Sequence, residues 1–136
     1  KLLTSFFIPS FFILIMLNVE SIRLYCLEKA GVEETFPFDE ETLVFKVMGK
    51  MFALMSLESA DRMNLKCDPE YALELREQYS EDILPGWHMN KQHWNTVIFN
   101  RRLSAKLALK LIDHSYELVV SKLPRKLKEE LAGFED

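Results

Sequence analysis

The segment from Thr42 to Leu57 constrains the fold more than any other part of this chain. It contains two runs rich in apolar residues, TLVFKVM at 42–48 and MFALMSL at 51–57, separated by Gly49 and Lys50. Two such runs around a short glycine-containing turn are typical of a β-hairpin. The chain is therefore expected to contain an antiparallel sheet, against which any helices have to pack.

The segments on either side of the hairpin supply the other predicted elements. Residues 62–66 alternate cleanly, with Met63 and Leu65 on one side, which predicts a third strand. Two further short strands are predicted at WHMN (87–90) and HWNTVIF (93–99), around a turn at Asn90 and Lys91. Residues 33–41 are predicted to form an acidic connector, because they contain five acids and the tripeptide FPF.

Capping residues mark where the helices begin. Asn18, Asp68 and Ser104 each precede a segment of helical pattern, and Pro69 follows Asp68 at a position where proline favours the first turn. The helices are predicted at 19–30, from Pro69 to about Tyr79, and from 105 to about Leu123, with a turn or helix at the end. The predicted fold is a two-layer α+β domain, an antiparallel sheet with helices packed on one face, in the order α-β-β-β-α-β-β-α.

The first sixteen residues do not match the rest of the chain. Twelve of the sixteen residues from Leu2 to Leu17 are apolar, Lys1 is the lone charge before them, and Pro9 interrupts the run. The run is shorter than the roughly 20 residues of a membrane span, and no small-residue cleavage site follows it. Three interpretations stay open: an upstream extension with Met16 as the true start, a signal or membrane anchor, and an apolar helix packed on the domain. We assign 1–16 as an extension and 17–136 as one domain.

The composition limits the classes of function. Seventeen basic and twenty-one acidic residues give a formal net charge of −4, the opposite of what DNA binding by bulk charge requires. Two cysteines are too few for a disulfide framework or a zinc cluster and fit a reducing cytoplasm. We expect no cofactor and no metal, since His88 and His93 lack the spacing of a ligand pair. Membrane association is expected only if residues 1–16 are a genuine anchor.

Four stretches occur in a distinctive order along the chain. They are TLVFKVMGKMFAL (42–54), NLKCDPEYALELREQY (64–79), PGWHMNKQHWNTV (85–97) and DHSYELVVSKLP (113–124). Together they resemble the MmcQ/YjbR family of bacterial "double-wing" DNA-binding proteins, and the third stretch is the most specific. The resemblance implies an antiparallel sheet backed by helices and a DNA-binding or regulatory role. It also implies a domain that starts near Asn18.

Two groups of residues are candidates for contact with a nucleic acid. One is the basic and polar face of the strands, and the other is the turn that concentrates two tryptophans, two histidines and a lysine. The candidate contacts are Lys46, Arg62, Asn64, Lys66, Trp87, His88, Asn90, Lys91 and His93. A further basic cluster lies at Lys122, Arg125, Lys126 and Lys128. In the alternative interpretation these are solvated charges and sheet anchors, and the alternation of Trp94, Thr96 and Ile98 predicts that Trp94 faces the helices.

The sequence identifies no catalytic residue. Cys67 follows Lys66 and precedes a helix, two features that lower the pKa of a thiol, but no spacing supplies a base, and a packed cysteine fits better. The predicted function is that of a small, non-enzymatic nucleic-acid (DNA)-binding or regulatory protein in the cytoplasm, with no identifiable small-molecule substrate. The alternative is a protein-interaction module that binds a protein partner or a second copy of itself.

Overall fold

The computed structural model describes residues 17–134 and centres on one sheet. Its strands are β1 (Val32–Thr35), β2 (Thr42–Val47), β3 (Lys50–Ser56), β4 (Arg62–Lys66), β5 (Ile83–Pro85) and β6 (Trp94–Ile98). They form a six-stranded sheet in the order β1-β2-β3-β4-β6-β5, and every neighbouring pair is antiparallel. The described helices are α1 (Val19–Leu27), α2 (Pro69–Gln78), α3 (Ala105–Ser121) and α4 (Arg125–Phe134).

The predicted fold class and the order of helices and strands are confirmed. The structure adds β1 inside the acidic segment that the sequence indicated was a connector. There Glu34 forms an ion pair with Arg23 of α1 at 2.6 Å, and Glu33 lies across from Lys46 of β2. Basic partners on both sides of the strand therefore allow an acidic segment to pair at the edge of the sheet. The final segment forms a full helix, α4.

The strand expected at WHMN is displaced along the chain. Residues 83–85 form β5, and the four residues WHMN form a turn that begins after Gly86. The Gly86 amide donates to the Trp94 carbonyl at 2.8 Å, which closes the ladder, and His88 then adopts a φ of 62°. A left-handed residue does not continue a strand, so the chain turns at this point.

The predicted caps start the helices as expected. The Asn18 side chain accepts from the Ser21 amide at 2.8 Å, and the Ser21 hydroxyl accepts from the Asn18 amide at 2.9 Å, which completes a capping box. Asp68 and Ser104 likewise accept from amides in the first turns of α2 and α3. Each side chain satisfies an amide that the helix itself leaves without a partner.

All four described helices contribute to a core on one face of the sheet. The largest fully buried side chains there include Phe45, Phe52, Leu65 and Ile112. Ser115 of α3 ties the two layers together, since its hydroxyl donates to the Phe52 carbonyl at 2.6 Å and accepts from the Lys66 amide at 2.9 Å. The helices therefore cover one face, as predicted.

The opposite side of the sheet, which we call the helix-free face, carries a second apolar cluster. Val44, Leu54 and Trp94 form it, with Met51 and Met89 packed against them. The prediction that Trp94 faces the helices is wrong. The alternation of side chains along β6 places Trp94 and Thr96 on the same face of the sheet. It does not show which face that is, because residues 94–98 are buried on both faces.

The membrane and extension hypotheses depend on the first part of the chain. The three interpretations of residues 1–16 concern a segment that lies outside the described residues. Within residues 17–134, none of the helices is long and apolar enough to cross a membrane.

Both cysteines are buried and unpaired, and this gives the fold a dependence on alkaline pH. Burial raises the pKa of the Cys26 thiol from 9.0 to about 12 and that of the Cys67 thiol from 9.0 to about 11. The features expected to lower the pKa of Cys67 are outweighed by desolvation. Because the unfolded chain ionises these thiols first, the free energy of unfolding should fall as pH rises through about 9, with a slope that approaches about 1.4 kcal/mol per pH unit for each thiol above that pH.

Urea unfolding between pH 7.5 and pH 10.5 measures this loss of stability. The double variant Cys26→Ala/Cys67→Ala is the control, since it removes both thiols and should flatten the decline without changing any other side chain. A decline of equal slope in the two proteins would show that the thiols do not cause it.

Candidate functional site

A cavity of about 610 Å³ opens on the helix-free face. Its floor is formed by side chains of β2, β3, β4 and β6, namely Thr42, Leu54, Ser56, Arg62, Asn64 and Thr96. Phe38, from the loop before β2, lines it on one side, and Trp87, His88 and Met89 line it from the loop before β6. Glu58 and Ser59, in the β3–β4 turn, also line it, as do Met55 of β3 and Met63 of β4. The cavity thus combines an apolar interior with a few polar groups.

A closed set of hydrogen bonds fixes the position of Trp87. Its amide donates to the Thr96 hydroxyl oxygen at 2.9 Å, and its carbonyl accepts from Asn64 Nδ2 at 3.0 Å. The Thr96 hydroxyl in turn donates to Asn64 Oδ1. Both ends of the Trp87 backbone are therefore held by the two strands beneath it. Asn64, a predicted nucleic-acid contact, positions another predicted contact.

The Trp87 and His88 rings form an exposed aromatic pair at the cavity. They stack with centroids 5.0 Å apart and an interplanar angle of 22°. Trp87 is 60% exposed, although its backbone is fixed on the sheet. A large aromatic side chain that is exposed on a hydrogen-bonded backbone is typical of a binding surface rather than of a core.

Three predicted contacts fold the 86–93 loop, the segment between β5 and β6. Asn90 Oδ1 accepts from the amides of Gln92 and His93, and the Lys91 ammonium donates to the Gly86 carbonyl at 2.7 Å. The His93 carbonyl accepts from the Cys67 amide at 2.8 Å. The sequence predicts a turn at Lys91, and the structure gives the Lys91 ammonium a partner within the loop. These residues shape the site without lining its cavity.

The cations of the helix-free face all have neighbours. Arg62 binds the Asp61 carboxylate at 2.8 Å, and this bond holds the pKa of Asp61 below its ordinary value. Lys66 lies 6.0 Å from the centre of the Trp94 ring, and Lys46 lies across from Glu33. The face is therefore less basic than its lysines and arginine suggest. The Arg62 guanidinium binds Asp61 through Nε and Nη2, so a phosphate bound there would compete with that carboxylate.

The structure brings some predicted residues together and separates others. Arg62, Asn64, Trp87 and His88 line the cavity, whereas Lys46 and Lys66 lie on the same face outside its lining. The C-terminal basic cluster lies at the end of α3 and on α4, where Arg125 pairs with Glu129 at 3.2 Å. It belongs to a different surface.

Several residues that line the cavity were not predicted from the sequence. Phe38 belongs to the FPF tripeptide, which offered a signal, because a phenylalanine next to proline in an acidic segment has little chance of joining a core. Thr96 and Met89 carried no comparable signal, since strand register brings Thr96 beside Asn64.

A second cavity of about 170 Å³ lies beside the first. It is lined by Arg62, Leu84, Pro85, Trp87 and Thr96. Arg62, Trp87 and Thr96 line both cavities, so the two form neighbouring compartments along the helix-free face. Across residues 17–134, no group of three or more His, Cys, Asp or Glu side chains is arranged to hold a metal ion.

Sequence similarity to known proteins identifies the family of this chain. The YjbR family model matches residues 27–118, a range that includes every residue lining the two cavities. The chain belongs to the YjbR family. It is 41% identical to the uncharacterized protein YbdF of Escherichia coli O157:H7 over 108 residues, which cover 79% of this chain and 88% of that protein. It is 33% identical to the uncharacterized protein YjbR of Escherichia coli K12 over 114 residues, covering 83% and 96%.

Solved structures of similar proteins share the fold. The crystal structure of Deinococcus radiodurans protein DR2400 has a TM-score of 0.80 and 40% sequence identity, and the match covers 85% of this chain and 88% of that one. A protein from Pseudomonas syringae has a TM-score of 0.61 and 27% identity, with 75% and 98% covered. YjbR membership thus fixes the fold and the matched region, while the activity has to be inferred from the site.

Proposed function

We propose that this YjbR-family chain is a non-enzymatic, DNA-binding or regulatory protein that binds its nucleic acid on the helix-free face. The observation that carries the proposal is the exposed, stacked Trp87–His88 pair, on a Trp87 backbone hydrogen-bonded to the sheet, beside a cavity that Arg62 also lines. Aromatic rings stack on nucleobases, and a guanidinium binds phosphate. These are the two parts of a nucleic acid that a protein recognises without reading a duplex groove.

The electrostatics favour weak dependence on salt. The net charge is −4, and Glu33 and Asp61 lie near two of the three cations on the helix-free face. Few phosphates are then neutralised, so stacking has to supply most of the affinity. We expect a salt slope that corresponds to roughly one to three phosphates.

The chemistry of the buried thiol supports a binding role over catalysis. Cys67 has a raised pKa and is buried, so it is a poor nucleophile at neutral pH. The His88 ring stacks on the Trp87 ring, so the imidazole is placed to extend the aromatic surface offered to a ligand.

A DNA titration tests the proposal at two salt concentrations, with a labelled oligonucleotide in single-stranded and duplex form. Arg62→Gln should weaken binding several-fold and reduce the salt slope by about one, because it removes the phosphate partner of the cavity. Lys126→Gln is the matched control, since it removes one positive charge from α4, on a different surface. Absence of binding by the unmodified protein at low salt, or equal losses in the two variants, would refute the proposal.

Self-association is the second candidate function. Four exposed apolar side chains favour it. Phe38 and Trp87 line the cavity, and Phe36 and Leu57 are close in sequence to residues that line it. A patch of this kind marks an interaction site when it is contiguous. Analytical ultracentrifugation decides the matter: a dimer that Phe38→Ala dissociates, combined with no binding of DNA, would favour this alternative.

A further inference from the structure

We infer that the larger cavity takes one unstacked nucleobase, so that the ligand is a single strand rather than a duplex. This inference rests on the proposed function and names its substrate class. The volume of about 610 Å³ falls within the roughly 300–1,000 Å³ of small-molecule pockets. A base within a duplex has its faces covered by its neighbours, so stacking on Trp87 and His88 requires a base that has left the stack.

Two aromatic side chains, Phe38 and Trp87, line the cavity from different sides of its floor. Phe38 approaches from the side of β2, because the Asp39 carboxylate accepts from the amides of Glu41 and Thr42 at 2.9 and 2.7 Å and so fixes the loop to the start of that strand. Trp87 is fixed to β4 and β6 on the other side. Strands β2 and β4 are separated by β3 alone and so lie about 10 Å apart. Stacked rings have centroids about 4.5–7 Å apart, so a ring between two others needs roughly 9–14 Å.

The floor of the cavity has a hydrogen-bond donor and an acceptor that can bind the edge of a base. Asn64 uses one amide hydrogen and one lone pair in the hydrogen bonds that hold Trp87. Its second amide hydrogen and the other lone pair of Oδ1 remain for a ligand. A side-chain amide offers a donor and an acceptor together, the pattern that pairs with the edges of nucleobases.

The second cavity indicates a strand rather than a free nucleotide. Arg62, Trp87 and Thr96 line both cavities, and Arg62 is the cation they share. A strand crossing Trp87 would place adjacent nucleotides in the two compartments and the phosphate between them near Arg62. A free nucleotide would occupy one compartment and leave the other empty.

A fluorescent base analogue tests the inference directly. The probes are an oligonucleotide with one central 2-aminopurine, the same strand annealed to its complement, and free 2-aminopurine nucleoside monophosphate. We expect the single strand to bind at least tenfold more tightly than the duplex and the monophosphate, with the 2-aminopurine emission quenched by stacking.

Matched aromatic variants locate the base. Phe38→Ala and Trp87→Ala should each weaken single-strand binding by roughly 5- to 150-fold, the range for one base–aromatic stack. Trp87→Phe should restore a part of it. Phe134→Ala is the control, because Phe134 and Phe38 are both 63% exposed and Phe134 lies on α4. Thermal melting of each variant should change little, because these side chains are exposed.

The failure of the inference differs from the failure of the proposed function. If no oligonucleotide binds at low salt, the proposed function is refuted together with the inference. If DNA binds and Arg62→Gln weakens it, the inference alone is overturned by a duplex that binds as tightly as the single strand. Equal effects of Phe38→Ala and Phe134→Ala, or competition by the monophosphate at the same concentration as the strand, would also overturn it.

Discussion

Replacing Trp94 with alanine is expected to lower the free energy of unfolding by roughly 3–5 kcal/mol, enough to leave the domain marginal or unfolded. Trp94 is 7% exposed and packs with Val44 and Leu54 on the helix-free face. Removal of the indole opens a void beneath Met89, which the strands on either side of β6 cannot close. The Lys66 ammonium also loses the ring face that lies 6.0 Å away.

Trp87→Ala is the matched control, because Trp87, in the loop that leads into β6, is 60% exposed. Its loss should change the free energy of unfolding by less than about 1 kcal/mol. Urea unfolding followed by circular dichroism measures both variants. Equal stability of the two variants would show that the second apolar cluster contributes nothing to the fold.

The difference between these tryptophans shows what the sequence could predict and where it stopped. The hairpin at 42–57 and the caps at Asn18, Asp68 and Ser104 are local signals, and the structure reproduces them. The face occupied by Trp94 is set by register against Lys66, which no local pattern encodes. Strand β1 was missed for a similar reason, because its acids become tolerable only beside Arg23 and Lys46.

The candidate site likewise contains residues whose position the sequence predicts and residues whose position it does not. The density of aromatic and polar side chains at 87–94 predicts a site in this part of the chain, and Trp87, His88 and Met89 line the cavity, although Met89 was not among the predicted contacts. Asn90 and Lys91 look equally functional in the sequence, yet their side chains satisfy the backbone of their own loop. Whether a polar side chain in a turn faces outward or folds the turn depends on carbonyls and amides that the sequence does not position.

The geometry of Gly86 links the fold to the proposed site. Gly86 precedes Trp87 and approaches β6 so closely that an added Cβ would lie 2.7 Å from Trp94 Cβ and 2.8 Å from the Trp94 carbonyl oxygen. Both contacts are shorter than carbon and oxygen atoms tolerate. Strand β6 is paired on both sides, with β4 and β5, so it cannot move away. The 86–93 loop would have to shift instead, and its first hydrogen bond, from the Gly86 amide to the Trp94 carbonyl, would weaken.

Gly86→Ala is therefore expected to lower the free energy of unfolding by about 1–3 kcal/mol, the usual cost of overpacking. The same shift should pull Trp87 away from Asn64 and Thr96 and weaken single-strand binding at least tenfold, although no ligand-contacting side chain is changed. Gly133→Ala is the control, because a Cβ there meets nothing within 4 Å and the residue lies in α4. That variant should keep its affinity and gain up to about 1 kcal/mol, since alanine favours a helix over glycine. A Gly86→Ala protein that unfolds as the unmodified chain does and binds equally well would show that the loop is mobile, and that the Trp87 backbone is not held in the position from which we infer base stacking.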